Sequence, residues 1–440
     1  MPSIDAFEIR TLGACRVDSP LACASDVVCV GDTERILLDD RVTRDGSPEP
    51  ESHSTLELAG PRKLLYFDPA ATTVGIVTCG GLCPGLNDVI RGIVMTAWHR
   101  YGIRRILGFR YGYRGCTPQG EHLELTPEKV AEIHESGGTV LASSRGQQDA
   151  EIMARHLADL GVNILFVVGG DGTLRGAEAI ADAAEAQDRR IAVVGIPKTI
   201  DNDVEFIDQS FGFETAFSAA MHAIRCAHNE ARGAPNGVGL VKLMGRHSGF
   251  ITCHAVLATS HVNFALIPEC PFDLEGEHGL IAALRRRLDA RGHAVIVVAE
   301  GAGQELLADA GTARDASGNL RLGDIGTFLA GQINKHFATN GWEVTLKYID
   351  PSYIIRSVPA NPADSVYCWQ LASNAVHAGM CGKTRLVIGQ WHGRLVHVPI
   401  CRAIARRKRV DPRGDLWRSV LESTGQPPLC RGPSHVGEQP

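Results

Sequence analysis

From Val74 onward the chain alternates short, continuous apolar runs with glycine-rich or polar loops and longer amphipathic stretches. The runs are Val74–Thr78, Ile164–Val168, Ile191–Ile196, Val238–Leu243 and Ala294–Ala299. Each is apolar at consecutive rather than alternate positions, which predicts parallel strands buried on both faces. Between them lie helix-length segments such as Glu214–Glu230, Ala-rich with apolar residues three or four apart, the pattern of an amphipathic helix. The layout predicts an α/β fold with mostly parallel sheets. Residues 1–70 mix Pro, Ser, charge and short apolar pieces and read as an N-terminal extension that ends near AGPRKLLYFDP. The basic run RAIARRKR, Arg402–Arg409, reads as a solvated helix face.

Length changes this picture by requiring more than one core: 440 residues exceed an ordinary single domain and predict two lobes plus extensions. A net charge of -6 supplies no field to attract nucleic acid, so an anionic substrate must be gripped locally. The apolar runs are strand-sized, far short of the roughly 20 residues that span a bilayer. The N-terminal MPSIDAFEIRTLGACRVDSP has early acidic residues and no apolar core after a basic start, so it does not read as a secretory signal and the cytoplasm is expected. The 13 cysteines show no C-x-x-C pairs; Cys79 and Cys83 lie closest, and buried free thiols are expected rather than zinc.

In open parallel sheets ligands gather beyond the carboxyl ends of the strands, so the loops there carry the candidate chemistry. After Val74–Thr78 comes CGGLCPGLN, where Gly80, Gly81 and Gly85 let backbone approach a phosphate and Leu86 can open a helix. Such turns also serve purely structural connections. After Ile164–Val168 comes GGDGTLRGA: Asp171 can hold Mg²⁺, or cap the next helix, while Gly170, Gly172 and Thr173 accept a polyphosphate closely. After Ile191–Ile196 comes PKTIDND, which crowds Lys198, Thr199, Asp201, Asn202 and Asp203 into one loop. This set suits a base for a sugar hydroxyl, a second anchor near a metal, and donors to a phosphoryl group in flight. MGRHSG follows Val238–Leu243, and EGAGQE follows Ala294–Ala299, offering Arg246 for charge and Glu300 for hydroxyls.

Together, CGGLCPGLNDVIR, GGDGT, PKTIDND, KLMGRHSGF, IPECPFDLEGE, EGAG and KYIDPSYIIRSVPANPADSVYC resemble the ordered signature of the phosphofructokinase family over roughly residues 60–425. The lead-in AGPRKLLYF and the tail VDPRGDLWRSVLESTGQP are similar to its longer plant and protist ATP-dependent branch. The resemblance implies two Rossmann-like lobes with the active site in the cleft between them. A phosphoryl-donor lobe would span 71–212 and 364–400, a sugar-phosphate lobe 213–363, and a C-terminal extension 401–440.

The implied reaction is Mg²⁺-dependent transfer from ATP to the 1-hydroxyl of fructose 6-phosphate, in a homo-oligomer (dimer or tetramer) without nucleic-acid or membrane partners. In that resemblance Gly80 and Gly81 lie against the donor phosphates and Ser144, Arg145 and Gly146 contact the nucleotide or the transferred group. Asp171 serves the magnesium and Asp201 is the base. Thr199 and Ile200 join Asp201 at the reacting end of the sugar, Met244, Gly245 and Arg246 line it, Glu300 takes a hydroxyl, and Tyr353 and Arg356 approach the 6-phosphate.

The chain departs from the short bacterial pattern in the sugar-phosphate pocket, where the later arginine and histidine of that pattern fall in NPADSVY. Where those enzymes present an arginine to a neighbouring subunit's sugar phosphate, this chain has Gly237, and Lys347 is the candidate substitute. Gly172 is ATP-like, since an Asp there would crowd and repel a nucleotide's α-phosphate, whereas Lys198 occurs with either ATP or pyrophosphate. A pyrophosphate-dependent enzyme is thus the first alternative. A catalytically silent regulatory subunit is the second, and its expected mark, loss of Asp171 or Asp201, is missing.

Overall fold

All five apolar runs form strands whose ends fall within a residue of the expected bounds: Thr73–Thr78, Ile164–Gly169, Ala192–Pro197, Gly237–Leu243 and His293–Ala299. The structure, a computed structural model, describes residues 7–22, 24, 27–41, 54–307 and 322–429. They divide into two compact units. The first holds the described residues up to Ile200, Val204–Gly212 and Arg356–Arg407; the second holds Asp201–Asp203, Phe213–Ile355 and the described residues from Lys408.

The first unit is built on a nine-stranded sheet. Thr73–Thr78 is third from one edge, parallel to Arg105–Phe109 on one side and Ile164–Gly169 on the other; Ala192–Pro197, the central strand, and Leu386–Trp391 continue beyond the latter, also parallel. Every residue of Thr73–Thr78, Ile164–Gly169 and Ala192–Pro197 is buried, because helices cover both faces and leave no place for the polar alternation of a one-sided sheet. Each fully buried Val, Leu, Ile or Phe there contributes about 1.5–3 kcal/mol. Arg394–Pro399, Thr55–Leu58 and Arg35–Leu37 extend one edge with antiparallel pairing, so the N-terminal segment supplies strands to this sheet.

The second unit has a four-stranded, wholly parallel sheet in the order Phe264–Leu266, His293–Ala299, Gly237–Leu243, Thr345–Ile349. The helix expected at Glu214–Glu230 runs from Phe213 to Arg232 and buries Ala216, Ala220, Ile224 and Ala227 along one face. The alanines among these let the helix lie close to the sheet: a Cβ on Gly239 would stand 2.7 Å from the Ala227 carbonyl.

The basic run corrects one expectation. Only Ile400–Ala403 is helical. Beyond it the chain is drawn alongside the loop after Ala192–Pro197, with a bridge between Val204 and Arg407 and a hydrogen bond from Lys408 N to Asp203 O at 3.0 Å. These backbone bonds hold the segment extended, so its side chains diverge. Arg406 meets Glu205 at 2.9 Å, Lys408 lies 5.3 Å from the Phe250 ring centroid, and Arg407 turns inward. No helix among the described residues is long and apolar enough to cross a membrane.

Candidate active site

In the first unit the chain leaves Thr73–Thr78 toward one neighbour and later returns to the other, which makes the gap between Thr73–Thr78 and Ile164–Gly169 the switch point of the sheet. The loops that leave these two strands flank the crevice where open α/β sheets bind ligands. They are stitched together by backbone. Cys79 N donates to Val168 O at 3.0 Å, Gly80 N to Ser144 O at 3.2 Å, and Lys198 N to Gly169 O at 3.0 Å. Ser143 Oγ donates to Gly80 O at 2.6 Å and Tyr113 OH to Thr173 O at 2.5 Å.

This stitching gathers most of the expected donor residues. Lys198, buried at 6% exposure, donates through Nζ to Gly81 O at 2.8 Å. A Cβ on Gly80 would stand 3.8 Å from Lys198 Nζ and 4.0 Å from Thr173 Oγ1; one on Gly81 would meet Arg356 Nη1 at 3.4 Å and Arg145 Nη2 at 3.7 Å. Gly80 and Gly81 therefore lie among cationic groups, with no side chain of their own in the way, which suits phosphate oxygens. Gly85 follows in the left-handed region at φ 91°, a conformation that starts the helix Leu86–Tyr101 without a side-chain penalty. Arg356, expected near the sugar's 6-phosphate, belongs to this unit and lies against Gly81. Gly146 is open, with nothing within 4 Å of a Cβ built on it.

Asp171 opens the helix Asp171–Ala186, whose N-cap Gly170 makes no side-chain capping bond. Its carboxylate instead accepts two hydrogen bonds from Arg175 Nη2 at 2.9 and 3.0 Å, and Arg407 Nη2 lies 3.4 Å from Oδ2. Arg407 is a residue that sequence reasoning missed, because a basic run gives no sign of which side chain will turn inward. One carboxylate at a loop suits Mg²⁺, which keeps several waters and relies on substrate phosphates rather than on a protein cage. The described residues contain no cluster of three or more His, Cys, Asp or Glu able to hold a metal. A lone carboxylate beside the open helix N-terminus at Gly172 fits a cation carried by a polyphosphate. Around Gly172 a Cβ would meet nothing within 4 Å, so this face of the helix N-terminus is open.

The second unit holds the expected base and sugar contacts. The chain turns at Asn202 in the left-handed region, φ 54°, which Asn tolerates better than most residues. Asp201 is fixed through its backbone: Ser248 Oγ, from the end of MGRHSG, donates to Asp201 O at 2.9 Å. Asp201 Oδ1 is shielded from solvent. Ser248, 1% exposed, is the second residue missed; its place in a loop motif was legible but its partner, 47 positions away, was not.

Adjacent strand ends bring Met244–Arg246 to Glu300. Glu300 N donates to Leu243 O at 2.8 Å and Gly301 N to Gly245 O at 3.1 Å. Gly245 has φ 130°, and a Cβ there would strike the Ser248 carbonyl at 2.6 Å, so this loop requires glycine. Burial pushes the Glu300 carboxyl above its ordinary range, against the pull of Arg246 and Lys242.

Neither Lys347 nor Gly237, the position whose arginine it was expected to replace, is brought to that loop. Gly237 starts the strand that Leu243 ends, about 20 Å away at strand rise. A Cβ on Gly237 would lie 2.0 Å from the Ala231 carbonyl, so this backbone admits no side chain there. Lys347 is exposed at mid-strand on the sheet edge, in register with Gly239. Tyr353 is 74% exposed.

A family model described as Phosphofructokinase matches residues 73–379. This chain belongs to the phosphofructokinase family. Among its phosphofructokinase relatives, an ATP-dependent 6-phosphofructokinase of Amycolatopsis methanolica is 51% identical over 96% of this chain and 95% of that one. An ATP-dependent 6-phosphofructokinase of Trypanosoma cruzi is 46% identical over 88% and 81%, and Arabidopsis thaliana ATP-dependent 6-phosphofructokinase 7 is 46% identical over 87% and 79%. The phosphofructokinase fold is matched by the crystal structure of a pyrophosphate-dependent phosphofructokinase from Marinobacter aquaeolei, with TM-score 0.65 and 19% identity over 80% of this chain and 91% of that one. Plant and protist relatives accord with the branch expected from the lead-in and the tail.

Proposed function

We propose that this protein is an ATP-dependent 6-phosphofructokinase that forms fructose 1,6-bisphosphate from fructose 6-phosphate. The reading is carried by one observation: Lys198, Gly80, Gly81 and Thr173 converge at the switch point of the first unit, while the space beside Gly172 on the adjoining helix N-terminus is open. The names of relatives at 46–51% identity agree with it.

Asp201 accepts the proton of the 1-hydroxyl as that oxygen attacks the terminal phosphoryl in line. Lys198, Arg145 and the backbone N–H of Gly81 bind the equatorial oxygens and stabilise the charge that grows on them, and Gly80 lets the donor phosphates approach closely. Asp171, with Gly170, Gly172 and Thr173 around it, would hold Mg²⁺, which neutralises the polyphosphate when bound. Asp203 anchors the far side of the turn that presents Asp201, and Thr199 and Ile200 set its approach. Met244, Gly245 and Arg246 line the sugar, Glu300 accepts a hydroxyl, and Tyr353 and Arg356 supply further contacts. Lys347 would serve a pocket of a second copy in a homo-oligomer. The buried thiols Cys79, Cys83, Cys116, Cys253 and Cys368 suit the reducing cytoplasm.

Formation of fructose 1,6-bisphosphate with fructose 6-phosphate and Mg²⁺, run in parallel with ATP and with pyrophosphate, tests the proposal. Turnover with ATP alone is the expected result. Turnover with pyrophosphate alone would overturn the donor assignment, and no turnover with either would point to a silent subunit. Light scattering on the eluting protein tests the homo-oligomer.

A further inference from the structure

The N-terminal segment enters the first unit through a short antiparallel pairing of Arg10–Thr11 with Lys383–Thr384, continued by Leu12 N donating to Gly382 O at 2.9 Å. This register brings Cys15 to Cys381, 366 positions later in the chain. Cys15 Sγ donates to Cys381 O at 3.4 Å, so the two cysteines lie in direct contact. The pair is asymmetric. Cys15 is half-buried and reachable from solvent, whereas Cys381 is 2% exposed with its Sγ 3.7 Å from the Leu64 carbonyl. A reachable cysteine beside a buried one is the arrangement of an attacking and a resolving cysteine.

We propose that Cys15 and Cys381 form a redox-reactive pair that closes to a disulfide and fastens the N-terminal segment to the end of the helix Pro362–Met380. The electrostatics favour this order of events. The contact with Cys381 lowers the Cys15 thiol to about 7, and Lys383 and Arg62 act in the same direction against burial and Asp32. Cys15 is therefore the more readily ionised of the two. The contact with Cys15, then burial, then the Cys15 charge push Cys381 up. Once Cys15 has reacted its charge is gone, and Cys381 ionises more readily.

With a low-molecular-weight disulfide of the glutathione class as oxidant, the Cys15 thiolate attacks one sulfur. It forms a mixed disulfide and releases one thiolate. Cys381 gives its proton to solvent and attacks the Cys15 sulfur, releasing the second thiolate. Two protein thiols are oxidised and one small disulfide is reduced to two thiols. None of the residues assigned to phosphoryl transfer takes part.

The test is peptide mapping under non-reducing conditions after native protein is treated with oxidised glutathione and quenched with an alkylating agent. The expected product is a Cys15–Cys381 linked peptide that dithiothreitol reverses, formed about tenfold faster than adducts on the exposed Cys226 and Cys401. Cys381→Ala should instead trap one glutathione on Cys15, and Cys15→Ser should give neither product. The proposal is overturned if wild-type protein carries a stable glutathione on Cys15 with no linked peptide. It is equally overturned if Cys226 and Cys401 react while Cys15 does not. Because the wild-type map alone decides, a failure of Cys381→Ala to fold leaves the test intact.

Discussion

Ser248 donates its hydroxyl proton to the backbone carbonyl of Asp201 at 2.9 Å, so the loop proposed to line the sugar also fixes the backbone of the proposed base. Removing this bond should loosen the aim of Asp201 while leaving its carboxylate in place. Ser248→Ala should lower kcat about tenfold, with the KM for ATP unchanged and a stability loss of about 1 kcal/mol. An unaltered kcat would show that the turn holds Asp201 without Ser248.

Asp201→Asn keeps the shape of the side chain and removes its capacity to take a proton. Turnover should fall about 10²–10⁴-fold, with the KM for fructose 6-phosphate within a few-fold of wild type. Near-normal turnover would remove Asp201 from its role.

At Gly172 a new side chain meets nothing within 4 Å, and an acid in the first turn of a helix is electrostatically welcome. Gly172→Asp should therefore melt at the wild-type temperature yet raise the KM for ATP at least about tenfold through repulsion of the nucleotide phosphates. Steady-state kinetics together with a melting curve separate these effects, and an unchanged KM would refute the donor assignment at this position.

Arg407 lies 3.4 Å from Asp171, on the oxygen that the proposed metal cation would need. Arg407→Gln should lower the Mg²⁺ concentration for half-maximal rate about two- to fivefold, the scale of a partly exposed ion pair. A Mg²⁺ titration at saturating ATP checks this, and a higher requirement would mean that Arg407 works with the cation.

Glu57 Oε1 accepts from Lys383 Nζ at 2.7 Å, Arg62 Nη2 at 3.0 Å and His397 Nδ1 at 3.0 Å, all in the interior of the first unit. Burial alone would raise the Glu57 carboxyl, but the His397 bond and then Lys383 bring it down to about 2. Burial lowers His397 below its ordinary 6.5. Both signs agree. As pH falls below about 6.5 the unfolded chain takes up the His397 proton before the folded one does, and from 4.5 to about 2 the same holds for Glu57. Stability measured by denaturant should therefore decline with acidification, at up to about 1.4 kcal/mol per pH unit for each proton. Glu57→Gln should cost about 3–5 kcal/mol at neutral pH, because Lys383 keeps its charge in the interior without its carboxylate. Flat stability between pH 7 and 4 would count against this linkage.

The sequence by itself determined the strands and the loops that carry the chemistry. Consecutive apolar positions at Ile164–Val168 or Ala294–Ala299 can be satisfied only by burial on both faces, which is the interior of a parallel sheet, and glycines with polar groups at the following loops mark where ligands meet strand ends. That Asp171, Lys198 and Gly80 belong to one family signature was also legible, because each lies within a short local motif. Only the tertiary structure decided which distant groups meet. Arg407 turns to Asp171 across 236 positions, Ser248 reaches back to Asp201, Cys15 touches Cys381, and Arg356 lies at Gly81. Local periodicity records which face of an element is dry, but the partner of a side chain is set by strand order and register, which no local pattern encodes.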